Sequence, residues 1–201
     1  MDLQKPTCQN RAFQECSFGK NHSRFGQDKK SSIIKNKGFL VLGKNGSDLD
    51  QYTDIYQLLP RRMDFAFLLT ESETNSGHWT LMIRDDNKFE YFGSYGVSPK
   101  SILDYIPSYK NKKLGNNYSE DLGMIIKSIK PTDKFIYNNT KFQKDGPDIN
   151  TCGRWVIARL ALFLSDSLDL KEFTKLIKTK VKQLKIKTTN LLHFWYLSNN
   201  I

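Results

Sequence analysis

The pattern of apolar and polar residues along the chain predicts a central β-sheet. The clearest strand is the nearly continuous apolar run 64–70, which is typical of a strand buried on both faces. Two further apolar runs, 78–84 and 89–96, are separated by a tight polar turn and predict a hairpin. Shorter strand candidates lie at 38–42 and 134–139.

Helical periodicity fills much of the remaining chain. The predicted helices are 48–59, a two-turn helix opened by Ser98, 119–129, a helix that begins near Cys152, 170–184 and 189–197. The helix near Cys152 is the sharpest of them, because a polar stretch gives way abruptly to apolar residues at helical spacing. Asn150 or Thr151 is a suitable N-cap, since either side chain can accept a hydrogen bond from a first-turn amide.

These elements predict an α+β protein with a small mixed central sheet flanked by helices. The 201 residues are enough for one sizeable core. We expect residues 1–32, which are polar and aperiodic, to form an N-terminal arm or loops, and residues 33–201 to form one domain with basic C-terminal helices. The first residues lack the layout of a signal peptide, and no apolar run is long enough to span a bilayer, so we expect no secretion and no membrane contact.

The charge balance suggests a polyanionic partner. Lys and Arg total 31 against 21 acidic residues, a net charge of +10, and such a surface attracts nucleic acid. The predicted helix 170–184 carries the candidate nucleic-acid contacts, which are Lys171, Lys175, Lys178, Lys182 and Lys185. The alternatives are a solvated amphipathic helix packed on the core and a general compositional bias towards lysine.

Cysteine usage singles out Cys152. The other two cysteines, Cys8 and Cys16, leave an odd number without a metal-ligand array, so we expect neither a disulfide framework nor a metal site. A cysteine in the first turn of a helix can have its pKa lowered from about 8.5 to roughly 3.5–7.5. Gly153 has no side chain that would block access to the sulfur. The alternative is a buried structural cysteine, which packs like a small hydrophobic residue.

Hydrolysis by cysteine needs a thiolate, an imidazole to move the proton, and donors for the developing oxyanion. His78 is the best imidazole candidate, because it opens a predicted strand after a Ser-Gly loop. The other two histidines are less suitable: His22 lies in the polar arm, and His193 lies in an aromatic helix. Gln143, nine residues before Cys152, can supply a side-chain amide.

Three segments carry a recognisable set of motifs. They are 76–80 with its His-Trp pair, 89–96, and 148–155 with its Thr-Cys-Gly sequence, to which Gln143 is added. This set resembles the adenovirus-type (adenain-like) maturation cysteine proteases, in the form found in virophages and polinton-type elements, a group related to the SUMO-specific proteases. The resemblance covers roughly residues 60–165. It implies a papain-like or ubiquitin-like-protease core, with the histidine on a strand and the cysteine at a helix N-terminus.

The resemblance also implies roles for individual residues. Cys152 would be the nucleophile, and His78 the general base and then the general acid. Gln143 would donate its amide to the oxyanion together with the backbone N–H of Cys152, with Gly153 as part of that support. Trp79 would pack beside the imidazole, or else serve as an aromatic residue of the strand core.

One position departs from the family pattern. The family has Asp, Glu or Asn where this chain has Gly93, and a glycine cannot orient an imidazole. Glu90 lies three residues earlier and is expected to point to the opposite face of its strand. The third member of the site is therefore missing, supplied by water or brought from another segment.

We therefore expect a cysteine endopeptidase that cleaves capsid precursor proteins during virion maturation through a thioester on Cys152. We expect a monomer that needs no cofactor and acts in the virion and the cytoplasm of the host cell. The resemblance makes DNA a candidate polyanionic cofactor. Two alternatives stay open. The first is a protease that deconjugates ubiquitin-like or SUMO-like proteins, and the second is an inactive scaffold that binds nucleic acid or capsid protein.

Overall fold

The computed structural model describes residues 8–9, 39–42, 49–73, 76–101, 118–144 and 151–188. Their elements, in chain order, are β1 (Cys8–Gln9), β2 (Phe39–Leu42), α1 (Ile55–Leu58), β3 (Phe65–Glu73), β4 (Ser76–Asp85), β5 (Lys88–Gly93), α2 (Tyr118–Lys127), β6 (Lys134–Tyr137), α3 (Cys152–Asp166) and α4 (Leu170–Leu184). The predicted helix 189–197, most of the helix expected after Ser98, His22 and His193 lie outside the described residues.

The strands form one mixed sheet in the order β2-β3-β4-β5-β6, with β1 also paired to β4. The pairs β2–β3 and β5–β6 are parallel. The pairs β3–β4, β4–β5 and β1–β4 are antiparallel. This arrangement confirms the predicted α+β class and the small mixed sheet flanked by helices.

Both faces of the sheet are covered, which explains the continuous apolar run in β3. Phe65, Phe67 and Leu69 belong to the core shared with α3 and α4, whereas Ala66 and Leu68 belong to the core shared with α1 and α2. Successive side chains of a strand point to opposite faces, so a strand between two helical layers must be apolar at every position.

The first predicted helix is shorter than expected. Only Ile55–Leu58 is helical, and the residues from 49 to 54 form turns and bends. The carboxylate of Asp54 accepts hydrogen bonds from the backbone N–H groups of Tyr56 and Gln57. This N-cap begins the helix at Ile55, well after the predicted start at residue 48.

The predicted strand 89–96 also ends early, at Gly93. The backbone N–H of Gly96 donates to the carbonyl of Gly93 over 3.0 Å and closes a tight turn. Gly96 has a φ of +67°, and a Cβ atom there would lie 2.5 Å from the carbonyl carbon of Thr140. Glycine is therefore required where the turn passes the segment that leads to Gln143.

Candidate active site

Cys152 begins α3, as predicted, and is fully buried. The preceding Thr151 is the N-cap residue, but its side chain makes no capping hydrogen bond. Its hydroxyl is buried and has no hydrogen-bond partner among the described residues. The sequence located the start of the helix correctly. Of the two predicted capping residues, Thr151 makes no capping hydrogen bond with its side chain, and Asn150 lies outside the described residues.

The sulfur of Cys152 is in a disulfide in this structure. The cysteine count implied no disulfide framework and left open whether Cys8 or Cys16 forms a single disulfide. The structure represents a form in which the Cys152 sulfur is not a thiolate. The other two cysteines of the chain are Cys8 and Cys16, and their side chains lie outside the described residues. Residues so far from Cys152 in sequence can approach it only through the tertiary fold, which the spacing of cysteines does not reveal.

His78 lies on β4, paired in register with Thr70 of β3. The residue is partly exposed, but both ring nitrogens are buried and have no hydrogen-bond partner among the described residues. This burial lowers the pKa of the imidazole to about 3, so the ring is neutral at pH 7. In the disulfide form, His78 is thus an uncharged imidazole whose nitrogens are shielded from bulk water.

Gly93 lies directly beside this imidazole. A Cβ atom on Gly93 would be 3.6 Å from Nε2 of His78 and 3.4 Å from Cγ2 of Thr80, both ordinary contact distances. The position at which the resemblance places an acid therefore faces the histidine, although here it carries no side chain. Glu90 does not replace that acid, because its carboxylate is bound to Arg159 of α3.

Tyr95 also contacts the histidine. Its ring stacks on His78 with 4.4 Å between centroids and an interplanar angle of 26°. The side-chain amide of Gln143 donates to the Tyr95 hydroxyl over 3.3 Å. The one signal in the sequence was the hairpin register, which allows either Gly93 or Tyr95 to lie across from His78.

The segment that carries Gln143 is held by contacts with two other parts of the fold. The backbone N–H groups of Phe142 and Gln143 donate to the carbonyl of Ser94 over 2.8 and 3.1 Å. The Ser94 hydroxyl donates to Oε1 of Gln143 over 3.0 Å, and both side chains are buried. The Phe142 ring stacks on Trp155 of α3 with 5.0 Å between centroids. Gln143 is therefore held between the turn after β5 and the first turns of α3.

Trp79 connects the histidine strand to the cysteine helix. It follows His78 on β4, belongs to the core shared with α3, and its Cδ1 lies 3.6 Å from the Cβ position of Gly153. Trp155 also lies in this core and is fully buried. The elements that carry the three predicted catalytic residues are therefore joined by direct contacts.

Helix α4 packs apolar residues on the core and exposes its lysines. Phe173 and Ile177 are buried against α3 and the sheet, whereas Leu184, predicted to lie on the same apolar face, is exposed. The predicted nucleic-acid contacts are all exposed: Lys171, Lys175, Lys178, Lys182 and Lys185. A Lys-rich surface is thus present, as the amphipathic pattern predicts.

The described part of the chain offers no second site of a familiar kind. No group of three or more His, Cys, Asp or Glu residues there could hold a metal ion. No described helix is both long and apolar enough to cross a membrane. A cleft of about 480 Å³ lies near the β4–β5 turn and is lined in part by Arg84, Asp86 and Asp133, none of which is a predicted site residue.

Comparison with known proteins places the chain in a viral family. No family model matches it, and no solved structure matches it. It is 38% identical over 161 residues to the uncharacterized protein V9 of Sputnik virophage, and the match covers 80% of this chain and 86% of that protein. The chain therefore belongs to the same protein family as protein V9 of Sputnik virophage.

Proposed function

We propose that the protein is a cysteine endopeptidase with Cys152 as its nucleophile, His78 as its base and acid, and Gln143 as an oxyanion donor. The observation that carries this proposal is that His78 and Gln143 both contact Tyr95, while residues next to them contact the helix that begins at Cys152. His78 contacts Tyr95, and Tyr95 contacts Gln143. The neighbours of His78 and Gln143, Trp79 and Phe142, both reach the first turns of α3.

The proposed reaction starts from the reduced protein. Proton transfer from Cys152 to His78 gives a thiolate, which attacks the peptide carbonyl and forms a carbon–sulfur bond. The negative charge on the carbonyl oxygen is stabilised by the Cys152 N–H and by the Gln143 amide, which must turn away from Tyr95. The C–N bond breaks as His78 gives its proton to the amine. His78 then takes a proton from a water molecule whose oxygen attacks the thioester carbonyl. The C–S bond breaks, the carboxylic acid product leaves, and the proton on His78 returns to the Cys152 sulfur.

The proposed substrates are capsid precursor proteins, cut during maturation of a virus particle. The resemblance to adenovirus-type proteases supports this choice, and so does the similarity to a virophage protein. A ubiquitin-like or SUMO-like deconjugating activity uses the same residues and is the second candidate within the hydrolases. Incubating the reduced protein with capsid precursors and with a ubiquitin-like precursor separates the two.

A polyanion-binding role for α4 accompanies this proposal. The exposed lysines of this helix, together with the net charge of +10, favour sequence-independent contact with phosphates. In the proposed function, DNA would bring the enzyme and its substrates together inside the particle. The same surface would serve an inactive scaffold, so the reactivity of Cys152 decides between the two.

The experiment that tests the proposal is the rate of Cys152 alkylation by iodoacetamide between about pH 4 and 10. The protein is first reduced with dithiothreitol, and alkylation of each cysteine is followed by mass spectrometry of its peptide. Wild type, His78→Ala and Gln143→Ala are compared. We expect fast alkylation that persists below pH 7 in wild type and in Gln143→Ala, and that disappears in His78→Ala.

A pH profile of the alkylation rate with one inflection near pH 8.5, identical in wild type and His78→Ala, would contradict the protease proposal. The inactive scaffold would then be favoured. Cleavage of a capsid precursor by wild type and not by Cys152→Ala completes the test, because alkylation reports on the thiolate alone.

A further inference from the structure

Tyr95 occupies a place from which it can act on both the base and the oxyanion donor. Its ring covers one face of the His78 imidazole, and its hydroxyl accepts from the Gln143 amide. The turn that carries it is fixed by the Gly96–Gly93 hydrogen bond. It is fixed further by Asn138, whose buried side-chain amide donates to the carbonyls of Gly93 and Thr140 over 2.7 and 2.9 Å.

We propose that Tyr95 is the positioning residue that compensates for the missing acid at Gly93. A carboxylate orients an imidazole through a hydrogen bond, whereas an aromatic ring restricts its rotation by stacking. The absence of a side chain at position 93 leaves space next to Nε2 of His78, and the stacked ring of Tyr95 prevents the imidazole from turning into that space. This inference rests on the proposed function.

The test compares Tyr95→Phe, which keeps the ring and removes the hydroxyl, with Tyr95→Leu, which removes the ring. Tyr137→Leu, at an exposed tyrosine on β6, is the matched control. The readouts on reduced protein are the NMR resonances of the His78 ring and the pH profile of Cys152 alkylation. We expect Tyr95→Leu to shift the ring resonances and to slow alkylation at pH 7 by at least tenfold. Tyr95→Phe and the control should stay within threefold of wild type.

Suppose that Cys152 is alkylated at the same rate in Tyr95→Leu and wild type, while the rate in wild type still depends on His78. This result would overturn the positioning role of Tyr95 and leave the proposed function intact. Failure of the proposed function looks different, because wild type and His78→Ala would then react alike. If Tyr95→Leu fails to fold, Tyr95→Met provides a flexible side chain of similar bulk without the ring. The same tenfold decrease is expected for it.

The disulfide at Cys152 supports a second inference, independent of the first, about its partner cysteine. β1 pairs with the end of β4 beside the site, where Cys8 lies opposite Gly77, the residue before His78. Gly77 is also paired with Glu71 of β3, so β1 must lie on the other side of β4, beyond the end of β5. Gly153 contacts Trp79 at this same end of β4. Cys8 and Cys152 are therefore next to one short segment, Gly77–Trp79.

We infer that Cys8 is the disulfide partner of Cys152 and that this bond between β1 and α3 is a redox latch on the site. The bond holds the proposed nucleophile as a disulfide and holds β1 beside His78. Two equivalents of a low-molecular-weight thiol open it by exchange: both protein sulfurs become thiols, and the small thiol leaves as its own disulfide. The reverse exchange with that small disulfide closes the latch, so atoms and electrons balance in both directions.

Cys8→Ser and Cys16→Ser form a matched pair for the test. Purified protein is mapped for disulfide-linked peptides without reduction and is then treated with iodoacetamide, with and without dithiothreitol. We expect a Cys8–Cys152 peptide in wild type and in Cys16→Ser, with Cys152 alkylated at least tenfold faster after reduction. In Cys8→Ser, alkylation should be fast without reductant.

If Cys152 is alkylated rapidly without reductant in Cys16→Ser but not in Cys8→Ser, the assignment of Cys8 is overturned. Fast alkylation of untreated wild type would overturn the latch itself. Both readouts report on the state of one sulfur and need no peptidase activity, so they are independent of the proposed function.

Discussion

Arg159 of α3 and Glu90 of β5 form a bidentate ion pair inside the protein. Nε and Nη2 of Arg159 donate to the two carboxylate oxygens, each over 2.7 Å, and both residues are buried. Nη1 donates to the carbonyl of Leu168, and the guanidinium lies over the ring of Phe173. This pair ties the helix that begins at Cys152 to the strand that ends at Gly93.

Removing one partner of this pair should strongly destabilise the fold. Glu90→Gln keeps the shape of the side chain but leaves the buried guanidinium without its counter-charge, which typically costs about 3–5 kcal/mol. The free energy of unfolding in urea measures this effect. Asp86→Asn is the matched control, because Asp86 pairs with Arg62 at the surface and such pairs contribute at most about 1 kcal/mol. Equal decreases in the two variants would contradict a special role for the buried pair.

A carboxylate at position 93 should raise the pKa of His78. The Cβ of Gly93→Asp would lie 3.6 Å from Nε2 of His78, and a nearby negative charge favours the imidazolium. Titration of the His78 resonances by NMR should show a pKa above the value of about 3 in wild type. Gly93→Asn adds nearly the same shape without the charge and should raise the pKa less. The charge argument fails if both variants shift the pKa equally.

The buried imidazole should make stability depend on pH. An unfolded histidine binds its proton near pH 6.5, whereas His78 in the folded disulfide form does so only near pH 3. Between these values the unfolded state binds more protons. The contribution of His78 is therefore complete above pH 6.5 and decreases on acidification, by up to about 1.4 kcal/mol per pH unit. Urea unfolding between about pH 5 and 7.5 should show a shallower slope in His78→Gln than in wild type, and parallel slopes would contradict the burial effect.

Replacement of two glycines by alanine should change the free energy of unfolding in opposite directions. Gly96→Ala places a methyl group 2.5 Å from the carbonyl carbon of Thr140 at a φ of +67°, and we expect the unfolding free energy to fall by about 2–4 kcal/mol. Gly123→Ala lies in α2 with open space around its Cβ position and should gain about 0.5–1 kcal/mol. Urea denaturation of both variants checks this, and a stable Gly96→Ala would show that the turn can move.

The lysines of α4 should determine how binding of duplex DNA depends on salt. The triple variant Lys175→Glu, Lys178→Glu and Lys182→Glu should reduce the slope of log affinity against log salt by up to about 0.9 for each phosphate that is no longer neutralised. Fluorescence anisotropy with a labelled duplex measures this slope. The control is a second triple variant that changes the net charge by the same amount at exposed positions outside α4: Lys100→Glu, Lys127→Glu and Lys134→Glu. Equal effects of the two triples would point to net charge alone and not to α4.

The sequence by itself determined the local elements of this protein. The apolar run of β3, the hairpin of β4 and β5, and the starts of α3 and α4 all follow from periodicities that depend on neighbouring residues. The same patterns indicated that Glu90 and Gly93 lie on opposite faces of β5, because strand side chains alternate. Helix α1 was overestimated, since capping by Asp54 outweighs a weak periodicity.

Only the tertiary structure decided what surrounds His78 and Cys152. Tyr95 stacks on the imidazole because a turn closed by Gly96 and Asn138 directs it there. The disulfide at Cys152 requires two cysteines that are distant in sequence to meet. The low pKa of His78 results from its burial in the folded protein. Such properties depend on distances across the fold, and no local pattern of residues encodes them.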